Sequence, residues 1–240
     1  MDTRFWGPYG WTFLHTLPFS YNPNNALEKK SMKILLKGLS NLLPCKYCRQ
    51  SYSKYINELP IDKYIDSPAK LSKWTYLLHN KVNDKLRSQG LLNTDNPTYV
   101  NSMLKYKYIY DKCMTNNEIP GIDFIYIIAF HYRNTPIKSK KNKYIQFFKN
   151  LSNVIHIKDI RKCLQQKIKP STFGTQGVFK WWDNVFKSCD IKCNICIDNC
   201  KSKCIENTSG CNKINHKGIT CRKYKKNKTN TVKNKYNKII

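Results

Sequence analysis

Apolar positions along the first hundred residues recur at helical spacing. Trp11, Leu14, His15 and Leu17 mark a first helix, with Pro8 in its first turn and an end near Pro18 and Pro23. Leu27, Met32, Ile34, Leu35, Leu36, Leu39, Leu42 and Leu43 predict a second, strongly apolar helix. Pro44 interrupts it and starts a third, which carries Cys45, Cys48, Tyr52, Tyr55 and Ile56. Ser67-Pro68 makes an N-cap and first-turn pair for a fourth helix, along which Leu71, Trp74, Leu78, Val82 and Leu86 recur every 3.6 residues. Convincing strand-like alternation is absent, so the expected class is all-α.

A faint repeat follows. Lys37-Gly38-Leu39-Ser40-Asn41-Leu42-Leu43 returns 112 residues later as Lys149-Asn150-Leu151-Ser152-Asn153-Val154-Ile155, and Arg49 returns as Arg161. Upstream, Phe13-Leu14 and Phe19-x-Tyr21 echo in Phe124-Ile125 and Phe130-x-Tyr132. Ile157 and Ile160 stand where Cys45 and Cys48 would repeat. The pattern predicts a first helical domain over 1–110, a second, degenerate helical unit without a redox pair over 111–188, and a Cys-rich, Lys/Asn-rich tail over 189–240 that is partly disordered. Chance likeness between amphipathic helices is the competing account of the repeat.

Composition narrows the function classes. Hydrophobic residues make up 40% of the 240, too many for an intrinsically disordered chain. The longest wholly apolar run, Phe124 to Phe130, is seven residues long, far short of the ~20 a membrane span needs. The N-terminus lacks a signal-peptide stretch, and the nine glycines never form GxGxxG or a Walker loop. The net charge of +28 is carried mostly by Lys, in a chain also rich in Asn, Ile and Tyr, all with A/T-rich codons. Arginines, whose forks read phosphates and base edges, are scarce. Nucleic-acid binding is therefore disfavoured as the main role.

Cysteine placement carries more information. Seven of eleven fall at or after Cys189, and only Cys45, Cys48, Cys113 and Cys163 precede it. Pro44-Cys45-Lys46-Tyr47-Cys48-Arg49 sets two thiols two residues apart at a helix N-terminus, where unpaired N–H groups, the helix dipole and two cations favour a thiolate. Half of a zinc site is the alternative, but its natural partner, Cys193-x-x-Cys196, lies far along the chain. On the fourth helix, His79 and Asn83 share a face beside Asn80 and Val82. That face suits the edge of a flat heteroaromatic ring, although a buried, satisfied histidine is the plainer account of His79 alone.

Three ordered motifs then stand together: Trp6-Gly7-x-x-x-Trp11-x-x-Leu14-His15, Leu43-Pro44-Cys45-x-x-Cys48, and Trp74-x4-His79-Asn80-x-Val82-Asn83. They resemble the Erv/ALR family of FAD-linked sulfhydryl oxidases over about residues 5–100, and the Lys, Asn and Ile bias is similar to versions encoded by large DNA viruses, mimivirus among them. The resemblance implies a four-helix bundle holding FAD, O2 as electron acceptor with H2O2 as product, thiol-containing protein substrates, a homodimer, and no metal. It implies a site in the host cytoplasm or virion, with no membrane attachment. Carried over by position, Cys45 resembles the interchange cysteine and Cys48 the flavin-proximal one. Gly7, Trp11, His15, Trp74, His79, Asn80, Val82, Asn83 and Lys85 match cofactor-binding positions. The chain departs from the pattern in having Pro8 after Gly7, where many members have a basic residue. The basic Lys-Pro-x-aromatic element after the His-Asn helix is also displaced, with Asn96-Pro97-Thr98-Tyr99 its nearest candidate. A zinc-binding or nucleic-acid-binding helical module without oxidase activity is the alternative reading.

The tail stays open between three roles. Cys189, Cys193, Cys196, Cys200 and Cys204 would share one face of a helix. Cys193 and Cys196 could shuttle electrons to the first pair, the cluster could bind zinc, or a static disulfide could clip the tail to the second unit, with Cys113 or Cys163 absorbing the odd thiol.

Overall fold

The computed structural model describes residues 1–133, 141–167 and 177–191, together with Cys204 and Glu206. Every regular element among them is helical, as the apolar spacing predicts. α1 (Thr3–Thr16) runs into a 3-10 turn at Leu17–Ser20. It starts upstream of the expected position because Asp2 caps it, accepting the Arg4 N–H at 2.8 Å. Pro8 therefore lies inside the helix rather than in its first turn. Having no N–H, Pro8 donates no hydrogen bond of its own within the helix.

Side-chain caps set the next starts. α2 (Ala26–Leu42) begins after Asn25, whose side chain accepts the Glu28 N–H at 3.1 Å. α3 (Lys46–Glu58) begins after Cys45, and α4 (Pro68–Ser88) after Ser67, which accepts the Lys70 N–H at 3.1 Å. α5 (Tyr99–Thr115), capped by Thr98, continues past residue 110. The later helices are α6 (Ile122–Arg133), α7 (Lys141–Val154), α8 (Lys158–Lys167) and α9 (Gly177–Ser188).

The seven-residue apolar run forms the middle of α6. Every residue from Phe124 to Phe130 is buried, as befits a helix apolar on all sides. α6 packs between α1 and α9, while α2 lies along α7 in the most extensive helix pairing of the fold. One hydrophobic core therefore runs through both helical units. The turn into α6 depends on Gly121, at φ +69°. A Cβ there would stand 2.5 Å from the Phe13 nitrogen and 2.6 Å from the Tyr9 carbonyl oxygen.

A disulfide joins Cys163 of α8 to Cys189. For that one tail cysteine, the structure has the clip. Cys193 and Cys196, the shuttle candidates, lie outside the described residues, as do Cys200, Cys211 and Cys221. No helix among the described residues is long and apolar enough to cross a membrane.

Candidate active site

Cys45 occupies the N-cap of α3, and its sulfur accepts the Cys48 N–H at 3.2 Å. Ser, Thr and Asp use oxygen for the same task. Here the cap atom is redox-active and sits at the positive end of the helix dipole. A hydrogen bond from the Cys48 thiol is the largest influence on Cys45 and brings it down to about 7. Burial opposes the shift, and the Cys48 and Tyr47 N–H groups assist it. Cys48 moves the opposite way, pushed well above its usual range because it donates that bond and is shielded from water. Of the reduced pair, Cys45 is therefore the thiol that ionises first, while Cys48 keeps its proton. Arg49 braces the corner by donating to the Leu43 carbonyl at 2.5 Å.

The pair opens onto a cavity of ≈ 400 Å³ between α1, α3 and α4, within the ~300–1,000 Å³ range of ligand sites. Its walls are mostly apolar, and five aromatic residues contribute: Trp6, Trp11, Tyr47, Tyr52 and Phe124. Of the residues singled out in the sequence, Gly7, Trp11, Cys45, Cys48, Val82 and Lys85 line it together. Cys48 is half-buried, whereas Cys45 is 1% exposed. Lys85 donates to Ser51 Oγ at 2.7 Å, and its charge acts on Cys48.

The other expected site residues do not line this cavity. The His79 ring stacks on Trp11 with centroids 3.8 Å apart, and His15 Nε2 meets His79 Nδ1 at 3.0 Å. Burial brings His15 down to about 3 and His79 to about 4, so the pair is neutral and shares one proton donor. His15 in turn stacks on Tyr106 of α5 at 4.0 Å. Asn80 is half-buried beside His79. Asn83 donates to Asn96 Oδ1 at 2.9 Å, tying α4 to the loop before α5. Trp74 is fully buried and donates to the Leu59 carbonyl at 2.8 Å, away from the cavity.

Sequence reasoning passed over several wall residues. Trp6 stood in the first motif without a role, yet it lines the cavity and its Nε1 is buried without a partner. Gln89 also lines the cavity, and its buried Oε1 lacks a partner. Phe124 arrives from the second unit and stacks on Trp6 at 5.9 Å. The only signal for it was its echo of Phe13.

These features fit a flat, polar-edged aromatic group such as a flavin. Aromatic walls offer stacking, orphaned polar atoms at Trp6 and Gln89 offer edge contacts, Lys85 offers a positive charge, and the dithiol shares the wall.

The Erv1 / Alr family model matches residues 8–103. A protein of Acanthamoeba polyphaga mimivirus, named as a probable FAD-linked sulfhydryl oxidase, is 36% identical over 86 residues, covering 35% of this chain and 59% of that protein. The mitochondrial FAD-linked sulfhydryl oxidase of Saccharomyces cerevisiae is 36% identical over 87 residues, covering 36% of this chain and 45% of the yeast protein. A FAD-linked sulfhydryl oxidase of Arabidopsis thaliana is 34% identical over 77 residues, covering 32% of this chain and 39% of the plant protein. The chain spans about half the length of the curated relatives it matches. No solved structure matches it significantly. Residues 8–103, which carry the dithiol and most of the cavity wall, are the part of the chain that matches the Erv1 / Alr family model.

Proposed function

We propose that the chain is an FAD-dependent thiol oxidase that forms disulfides in protein substrates and passes the electrons to O2, giving H2O2. The observation that carries this reading is a dithiol with a depressed member, placed on the wall of an aromatic cavity. The names of the relatives support the same chemistry.

Trp6, Trp11 and Phe124 would hold the ring of FAD, with Trp6 Nε1 and Gln89 Oε1 available to its polar edge. Lys85 and Arg4 would meet the anionic phosphates. The cofactor, when bound, supplies a two-electron acceptor that hands its electrons to O2.

The protein's part is thiol exchange. In the oxidised pair, a substrate thiolate attacks Cys45 sulfur; the Cys45–Cys48 bond breaks, and Cys48 leaves as thiolate beside Lys85. A second substrate thiolate attacks the substrate sulfur of this mixed disulfide. The substrate disulfide forms, and the electron pair stays on Cys45. Cys48 then takes up one proton, and the opposite shifts of the two thiols favour leaving the negative charge on Cys45 under the helix N-terminus. Closing the Cys45–Cys48 bond again gives up two electrons and the one proton held on Cys48. The neutral His15–His79 pair keeps Trp11 in place without adding charge.

Oxygen consumption with a small dithiol tests the proposal, using protein purified with its bound chromophore. A flavin spectrum with one flavin per chain is expected, together with turnover that Cys45→Ala and Cys48→Ala each abolish while most flavin is retained. Full activity in the Cys48→Ala variant, or a colourless wild-type protein that does not take up FAD, would reject it.

A further inference from the structure

The two parts of the helical core run in step. α2 ends at Leu42 and α7 at Val154; α3 starts at Lys46 and α8 at Lys158. Both pairs are 112 residues apart, the spacing of the sequence repeat. Contacts within each part repeat as well. Ser40 Oγ donates to the Lys37 carbonyl and Ser152 Oγ to the Lys149 carbonyl, each at 2.8 Å. Arg49 donates to the Leu43 carbonyl and Arg161 to the Ile155 carbonyl, each at 2.5 Å. The same arginine thus clasps the same corner twice. Two amphipathic helices that merely look alike have no reason to share that corner.

Contacts between the parts are reciprocal. Lys143, the equivalent of Ser31, donates to Asn41 Oδ1 at 2.7 Å. Asn153, the equivalent of Asn41, donates to Ser31 Oγ at 2.9 Å. At the crossing of α1 and α6, a Cβ on Gly10 would meet the Phe124 ring at 3.3 Å, and one on Gly121 would meet the Phe13 backbone. Gly10 and Gly121, and Phe13 and Phe124, are equivalents 111 residues apart, one residue short of the 112 that separates the later pairs. When i touches j′ and i′ touches j, the contact is isologous, and a two-fold axis relates its sides.

We infer that the segment from Pro120 to Ile191 is a chemically silent copy of the first unit, docked on it about a pseudo-two-fold axis, so that the chain carries its own dimer partner. Ile157 and Ile160, both buried, hold the places of the two redox cysteines. α6 covers one face of α1 and α7 one face of α2, so on these faces an intrachain pair stands where the family resemblance implies a homodimer. The copy also serves the site, because Phe124 forms part of the cavity wall beside Trp6. That last role rests on the oxidase proposal; the pseudo-symmetric packing does not.

Disulfide trapping tests the reciprocity in the full-length chain. The double variants Ser31→Cys/Asn153→Cys and Asn41→Cys/Lys143→Cys are oxidised with glutathione disulfide, and linked positions are read by peptide mass spectrometry against wild type treated alike. Both variants are expected to link within one chain, giving covalent monomers of 28.3 kDa. Linkage of these positions between chains, or failure of either variant to link, overturns the inference. Loss of flavin would leave the expected linkages unchanged, so a failed oxidase reading is distinguishable.

Discussion

The charge distribution in the reduced pair can be tested by removing the Cys48 thiol. Cys45 falls from 9.0 to about 7, and a shift of that size corresponds to roughly 3 kcal/mol of preferential stabilisation of the thiolate. At pH 7 about half of Cys45 is thiolate, against ~1% of a thiol left at 9.0. The acquired stability weakens the nucleophile by about tenfold, taking a Brønsted slope of ~0.4–0.5. The net advantage over an ordinary thiol of equal access is then about fivefold. Its largest source is the hydrogen bond from Cys48. A bond to a charged acceptor contributes ~1.5–3 kcal/mol, or ~1–2 pKa units. Cys48→Ala should therefore raise the Cys45 midpoint by at least ~1 unit, whereas Cys48→Ser, which keeps an O–H donor, should hold it near 7. The assay is alkylation of the fully reduced protein by iodoacetamide from pH 5 to 10, following the Cys45 peptide by mass spectrometry. Burial of Cys45 slows all rates by a common factor and leaves the midpoint unmoved. A wild-type midpoint near 9, or identical profiles for the Ala and Ser variants, would refute the argument.

Three further outcomes are expected. Gly121→Ala sets a Cβ 2.5 Å from the Phe13 nitrogen in a left-handed conformation; strain of ~1–2 kcal/mol plus overpacking of ~1–3 kcal/mol should lower the thermal midpoint by several degrees, and a midpoint equal to wild type by circular dichroism would contradict the tight α1–α6 crossing. Cys163→Ser opens the disulfide to Cys189 and its 26-residue separation, which in the chain-entropy account costs about 3.5 kcal/mol; urea unfolding under non-reducing conditions measures it, and an unchanged midpoint would show that the clip does not constrain the unfolded chain. Lys85→Gln removes a cation from the cavity wall, so FAD titration of the apoprotein should show affinity weakened several-fold at low salt with the helical circular dichroism spectrum retained; equal affinity would remove Lys85 from the cofactor site.

Local chemistry was legible without the fold. Ser67-Pro68 marked the start of α4, Pro44 separated α2 from α3, and the Cys45–Cys48 spacing announced a redox pair, because caps, proline stops and two-residue rings depend only on near neighbours. Even there, the reach was short. The start of α1 was read too late, because Asp2 lies outside the apolar periodicity that the reading followed. The likeness of residues 37–43 to 149–155 was also visible, since four of the seven positions are identical.

Membership of the cavity wall was a different matter. Trp6 and Trp74 both sit in helical motifs, yet one lines the cavity and the other donates to Leu59 deep in the core. His15 and His79 lie 64 residues apart in sequence and meet only because α1 and α4 cross. Phe124 reaches the site from the second unit, past Gly10, which leaves room for its ring. Helical periodicity tells which face of a segment is apolar but not which neighbour will cover it. Amino-acid order alone therefore determined the helices, their caps and the reactive pair. Which aromatic rings surround that pair was decided by close packing between segments more than a hundred residues apart, where complementary shape at Gly10 and Gly121 selects one docking among many apolar ones.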